Sequence, residues 1–127
     1  MKKIFVIEDD KFLANAYRVK FTKSGFDVKL AMDGKEALEI AKDPEYLPDV
    51  VVLDLVMPGQ DGFAVLQSMR QEDTYSRYKK VPICVASNLG HEEDIKKAVD
   101  MGASDYIVKS NESMASIVEK INKITGK

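Results

Sequence analysis

Val50-Val51-Val52-Leu53-Asp54-Leu55-Val56-Met57-Pro58-Gly59 is an apolar run that carries one carboxylate near its end and closes on Pro-Gly. An apolar run bounded by turn residues has the pattern of a buried strand. A lone aspartate there costs free energy unless something pairs with it. Two other runs supply partners: Glu8 and Asp9 follow Ile4-Phe5-Val6-Ile7, and Lys109 follows Tyr106-Ile107-Val108. Together the three runs predict a carboxylate–metal–lysine site at the C-terminal rim of a parallel sheet.

Working outward, strand-like and helix-like runs alternate. Ile4–Ile7 reads as strand. Lys11–Ser24 reads as helix, with Phe12, Leu13, Ala16 and Val19 facing inward and Gly25 as its stop. Phe26–Ala31 alternates as a strand, with Phe26, Val28 and Leu30 on one side. Asp33-Gly34 turns into a short helix, Lys35–Lys42, using Ala37, Leu38 and Ala41. Val50–Leu55 is the central strand. Asp61-Gly62 opens a helix to about Gln71 that carries Phe63, Leu66 and Met69. The polar stretch Glu72–Lys80 reads as a long exposed loop. Val81–Ala86 is a strand, Glu92–Met101 a helix ended by Gly102, and Tyr106–Val108 a strand. Ser113–Ile124 is the last helix, with Met114, Ile117, Val118 and Ile121 at helical spacing.

Five β-α units in succession, with near-continuous apolar strands, imply a doubly wound parallel sheet covered on both faces. Ligands of such sheets bind outside the carboxyl ends of the strands. Glu8, Asp9, Asp54, Ser87 and Lys109 all fall at or just beyond those ends.

The 127 residues fit one domain, expected to span 1–127 with no output domain beside it. The formal net charge of -2, with both signs interspersed, leaves no footprint for direct contact with nucleic acid. A single cysteine, Cys84, excludes an internal disulfide or a cysteine-built zinc site and reads as a small buried hydrophobe. No run approaches the roughly 20 apolar residues that span a bilayer, and none forms a signal peptide, so the cytoplasm is the expected location.

Four stretches carry a resemblance to a known family: Val6-Ile7-Glu8-Asp9-Asp10, Leu53-Asp54 through Asp61-Gly62, Ala86-Ser87, and Gly102-Ala103-Ser104-Asp105-Tyr106-Ile107-Val108-Lys109. In this order and spacing the chain resembles the receiver domain of two-component response regulators, of the single-domain chemotaxis-regulator type. The resemblance implies a flavodoxin-like (βα)5 fold with strand order 2-1-3-4-5. It also implies a signalling switch, not an enzyme acting on outside substrates. Asp54 matches the phosphoacceptor, and Glu8 and Asp9 match the pair that holds Mg²⁺ together with Asp54 and the backbone carbonyl of Val56. Ser87 matches the switch hydroxyl, Lys109 the phosphoryl-binding lysine and Tyr106 the rotating aromatic. The implied partners are a sensor histidine kinase or histidine phosphotransfer protein and a downstream protein target, with the protein a monomer or a phosphorylation-linked dimer.

The residues suit that chemistry. A phosphohistidine or small acyl phosphate is already reactive, so the protein needs mainly to position an in-line attack and neutralise charge. Asp54 as nucleophile forms an acyl phosphate. Three carboxylates in one site raise at least one pKa unless a divalent cation relieves them. Lys109 offers a point charge and Ser87 a hydroxyl to phosphoryl oxygens. Asp10 reads instead as a helix cap, and His91 as a solvated loop residue. Phosphorylation would then shift Ser87 and Tyr106 and change the surface of the fourth helix, fifth strand and fifth helix.

There are departures from the family pattern. Ser110 follows Lys109 where proline is usual, and the Lys109–Ser110 bond is expected to be trans. Asn88 is a larger amide beside Ser87 and narrows access to Asp54. Val56 and Leu89 are apolar at positions flanking the phosphoryl group and are expected to exclude water and lengthen the acyl phosphate's life. Three competing readings remain at this point. A Mg²⁺-dependent aspartyl phosphatase commonly wants a second aspartate where Val56 stands. A phosphorylation-independent interaction module would leave the intact acids idle. A flavin or nucleotide carrier lacks a phosphate loop after the first strand.

Overall fold

The computed structural model describes residues 1–57 and 61–126. Pro58, Gly59 and Gln60 lie outside the described residues, and with them the Pro-Gly closure of the third strand. Strands β1 (Lys2–Ile7), β2 (Phe26–Ala31), β3 (Val50–Leu53), β4 (Ile83–Ser87) and β5 (Asp105–Val108) alternate with helices α1 (Lys11–Lys23), α2 (Gly34–Ala41), α3 (Gly62–Gln71), α4 (Glu92–Asp100) and α5 (Met114–Ile124). The strands form one sheet in the order β2-β1-β3-β4-β5, and every adjacent pair is parallel. This is the expected doubly wound (βα)5 fold.

Side chains alternate across the sheet with a period of two, so each strand supplies two cores. Ile4, Val6, Val50, Val52, Cys84, Ala86 and Ile107 pack with Tyr17 and Phe21 of α1 and Ile117, Val118 and Ile121 of α5. Phe5, Ile7, Val51, Leu53, Ile83 and Val85 pack on the other face with residues of α2, α3 and α4. Register matches Val6 with Val52 and Val52 with Cys84. Glu8 and Asp54, two residues further on, therefore continue the α1/α5 face, as Lys109 continues Ile107. Ser87 continues Val85 on the opposite face. Cys84 is fully buried, and burial pushes its thiol up to about 12, in keeping with a small hydrophobe.

Two expectations are overturned. In α1 the buried residues are Ala14, Tyr17 and Phe21, while Phe12 is 91% and Val19 41% exposed. The helix carries two apolar stripes, 12-16-19 and 14-17-21, and both have helical spacing. The second holds two rings, stacked 5.7 Å apart, and buries more apolar area. Asp10 caps α1 through Leu13 N–H, and Leu13 is only half-buried. The polar stretch after α3 is a 3-10 segment, Asp73–Lys80, kinked at Tyr75, with Tyr75 and Tyr78 both buried. Residues three apart eclipse in a 3-10 turn, so the two tyrosines reach one side between exposed polar neighbours. Smaller shifts concern element ends: β3 stops at Leu53, so Asp54 opens the following loop, although its N–H still bonds Ile7 O at 3.0 Å.

Gly62 holds that loop in place. Its N–H donates to Leu55 O at 2.9 Å. A Cβ there would lie 2.3 Å from Asp54 O and 2.5 Å from Leu55 Cα, both backbone atoms. Gly62→Ala is therefore expected to destabilise by about 2–4 kcal/mol in urea unfolding, through overpacking against a backbone with no room to move. An unchanged midpoint would show that the loop yields freely.

Candidate functional site

The rim of the sheet gathers the residues named from the sequence. The loop after β1 brings Glu8, Asp9 and Asp10, the end of β3 brings Asp54 and Val56, the end of β4 brings Asn88, and the end of β5 brings Lys109. These seven line one cleft of about 260 Å³. Lys109 reaches across the end of β4: its Nζ donates to Glu8 Oε1 at 2.7 Å and to Asp54 Oδ2 at 3.3 Å. Asp54 Oδ1 accepts from Val56 N–H at 3.2 Å, and Glu8 Oε2 from Asp10 N–H at 3.2 Å. Glu8 and Asp54 are buried, 2% and 6% exposed, so neither can rely on bulk water to carry its charge.

The charge balance of the cleft is negative. Burial, with the neighbouring Asp54 charge, raises Glu8 to about 7 despite the ammonium of Lys109. Burial works against the Lys109 ammonium as well, but its contacts with Glu8 and Asp54 outweigh burial and leave its pKa raised. Oxygens of Glu8, Asp9 and Asp54 lie within 4.8 Å of one another. One ammonium against four carboxylates, three of them clustered, leaves room for a divalent cation. An all-oxygen carboxylate set of this kind fits a hard ion that keeps some of its water.

Ser87 and Tyr106 stand apart from this cleft. The Ser87 hydroxyl is fully buried and accepts from Leu89 N–H at 3.3 Å. The Tyr106 hydroxyl donates to Leu89 O, and the half-buried ring packs on the α2/α3/α4 core. Burial raises the Tyr106 phenol, with Asp94 adding to the shift and the Ser87 hydroxyl acting against it. Sequence reasoning did not anticipate Leu89 as the backbone shared by both side chains. Leu89 itself packs against the core and is absent from the lining of the cleft, whereas Val56, 55% exposed, stands at its mouth. Of the departures, Asn88 does line the cleft. Among the described residues no peptide bond is cis, Lys109–Ser110 included. Asp10 caps α1 as expected, and His91 is exposed at the start of α4.

Similarity to known proteins agrees with this geometry. The family described as the response regulator receiver domain matches residues 4–122. A probable transcriptional regulator ycf27 of Porphyridium aerugineum is 39% identical over 108 residues, covering 85% of this chain and 42% of the relative. The DNA-binding dual master transcriptional regulator RpaA of Synechocystis sp. is 32% identical over 109 residues, covering 86% of this chain and 43% of the relative. The chain thus spans less than half the length of these relatives. Both are transcriptional regulators by name, so the exclusion of nucleic acid drawn from net charge is not supported. The receiver domain of the Francisella response regulator 1452 superimposes with a TM-score of 0.85 at 29% identity, covering 99% of this chain and 98% of that one. Among the described residues no helix is long and apolar enough to cross a membrane. The chain belongs to the response regulator receiver domain family of two-component signalling proteins.

Proposed function

We propose that Asp54 accepts a phosphoryl group from a phosphohistidine of a sensor kinase or phosphotransfer protein, and that the added charge alters the α4/β5/α5 surface for a downstream partner. The observation that carries this reading is the Lys109 ammonium set between buried Glu8 and Asp54 beside a third carboxylate. An Asp54 oxygen attacks phosphorus, the P–N bond of the donor breaks, and its electron pair stays on the imidazole. Glu8, Asp9, Asp54 and the Val56 carbonyl would hold Mg²⁺, which supplies neutralisation of the carboxylates and the phosphoryl oxygens. Lys109 keeps its contact with Asp54 and pairs with a phosphoryl oxygen, and the Ser87 hydroxyl turns toward another. Tyr106 follows Ser87 through their common contact with Leu89, and a few kcal/mol of differential interaction suffices for such a population shift. The domain works on its own acyl phosphate only, in the cytoplasm, as a unit spanning the whole chain.

Incubation with Mg²⁺ and acetyl phosphate is expected to add one phosphoryl mass to the intact protein. The increment should be absent without Mg²⁺ and in Asp54→Asn. A folded protein that gains no mass and binds no Mg²⁺ would instead be a phosphorylation-independent interaction module.

Val56 at the mouth of the cleft is expected to slow hydrolysis of the acyl phosphate by keeping water from it. The double variant Val56→Asn, Leu89→Glu should shorten the half-life about tenfold, a barrier change of about 1.4 kcal/mol. Most of the effect should come from Val56→Asn, because Leu89 faces the core. A half-life unchanged or longer in the double variant removes this role.

Glu8 also gives a pH signature. Its folded pKa, about 7, lies above the ordinary 4.5, so the folded state holds the proton more tightly. The resulting stability is fully present below pH 4.5 and is lost as pH rises through 7, of order 3 kcal/mol in all. Chemical denaturation in EDTA, with Glu8→Gln as the reference that does not titrate, should show the parent losing ground across that window. Mg²⁺ should abolish the loss. A flat difference would mean that Lys109 alone keeps Glu8 ionised.

A further inference from the structure

The ammonium of exposed Lys97, on α4, lies 4.1 Å from the ring centroid of Phe63 on α3. The two other lysine–ring approaches among the described residues, Lys29 and Lys3 to Tyr46, are longer at 5.5 and 5.9 Å. Glu93 and Asp100 flank Lys97 one helical turn away on either side, at spacings where helices form ion pairs. Among the described residues Lys97 pairs with neither, and its charge sits over the ring instead. Helical side chains lean toward the N-terminus of their helix, so Lys97 reaches back toward the rim, where α3 begins.

Each end of this contact is attached to a different part of the site. Phe63 follows Gly62, whose N–H donates to Leu55 O at 2.9 Å and whose backbone rests against Asp54 O where a Cβ would not fit. Asp61 caps the same turn through Ala64 N–H at 2.9 Å, and the ring packs on the core. The ring is thereby fixed to the loop that carries Asp54. The two ends of α4 are held unequally. Beyond its C-terminal end, Arg70 of α3 donates from Nε to Gly102 O at 2.8 Å and from Nη1 to Tyr78 O. Before Ala98, no residue of α4 is buried. A helix pinned at one end and thinly packed at the other is free to pivot.

We infer that Lys97 is a positioning residue of the switch, which through the Phe63 ring ties α4 to the Asp54 loop and holds the helix in its resting place. The inference rests on the reading of Asp54 as phosphoacceptor and of α4 as an element that moves. A cation is attracted to a ring face only within about 6 Å, so a pivot that carries the ammonium further breaks the tie. The tie is separate from Ser87, Leu89 and Tyr106. It runs on the α3 side of α4, and a charge over a ring makes it, where theirs are hydrogen bonds. A contact made in the resting state and lost in the loaded one opposes loading by its own worth, about two- to fivefold at an exposed site.

The test combines an exchange cycle with a ligand titration. Amide hydrogen exchange is followed in EDTA for the parent, Lys97→Met, Phe63→Leu and the double variant. Each single change should speed exchange in α4 about two- to fivefold and leave α1 unaffected, and the two changes should be non-additive, because either one removes the same contact. Lys97→Arg should keep the exchange of the parent, since a guanidinium also binds a ring face. Lys96→Met, which removes the neighbouring charge, should keep it too. Beryllofluoride with saturating Mg²⁺ serves as a non-covalent mimic of the phosphoryl group on Asp54. Its affinity should tighten about two- to fivefold in Lys97→Met and in Phe63→Leu, and stay as in the parent in Lys97→Arg. Additive effects in the double variant, or an affinity unchanged or weakened in Lys97→Met, overturn the inference. A parent that binds no beryllofluoride refutes Asp54 as the acceptor, and the exchange cycle then decides the tie by itself.

Discussion

The ammonium of Lys109, placed between two carboxylates that water hardly reaches, is the constraint around which the rest of the molecule is arranged. Neither Glu8 nor Asp54 tolerates burial alone, since an isolated buried charge costs several kcal/mol after relaxation. The sheet order solves part of the problem. It sets β1 beside β3, which brings the two acids together, and puts β5 two places away with β4 between. A lysine stem is long enough to cross the end of β4, where the chain continues into exposed Asn88. The lysine thus ties together the ends of β1, β3 and β5.

The sheet also separates two groups of side chains. Glu8, Asp54 and Lys109 extend the face that packs on α1 and α5, while Ser87 and Tyr106 belong to the face that packs on α2, α3 and α4. In the proposed switch, communication between the faces would pass over the rim at the Leu89 backbone. Its N–H is held by Ser87 and its carbonyl by Tyr106. A movement of the serine hydroxyl toward the acid cluster removes one of these two bonds. The following helix, α4, buries one residue completely, Ala98, so little packing energy resists its displacement. A weakly packed element beside a two-bond latch is the kind of place where a small local change can shift a population.

Much of this was legible in the sequence because buried parallel strands appear as short apolar runs. Uninterrupted apolar runs ending in charge located the strands, their order along the chain and the rim, and therefore Asp54, Glu8, Asp9 and Lys109. The phase of α1 was not legible, because 12-16-19 and 14-17-21 are equally periodic and only the volume available against the sheet separates them. Tyr75 and Tyr78 were hidden by the polar residues around them, since a spacing of three is ambiguous between a loop and a 3-10 turn. Leu89 acts through its peptide group, which leaves no trace in residue type.

The arrangement also bears on why such a site retains groups that lower the stability of the resting protein. Replacing a buried ion pair with apolar residues is often neutral or stabilising, so Glu8, Asp54 and Lys109 are poorly explained as structural glue. Their value lies in the difference between states. With Lys109 the one cation lining the cleft among the described residues, Glu8 is held with its pKa near 7, and one carboxylate in the cluster is on the edge of taking a proton. Any added positive charge at the cleft therefore relieves a tension already present in the fold, and it does so without new contacts having to be built. A site poised in this way couples occupancy to the stability of the rim, and the rim carries both the Asp54 loop and the Leu89 latch.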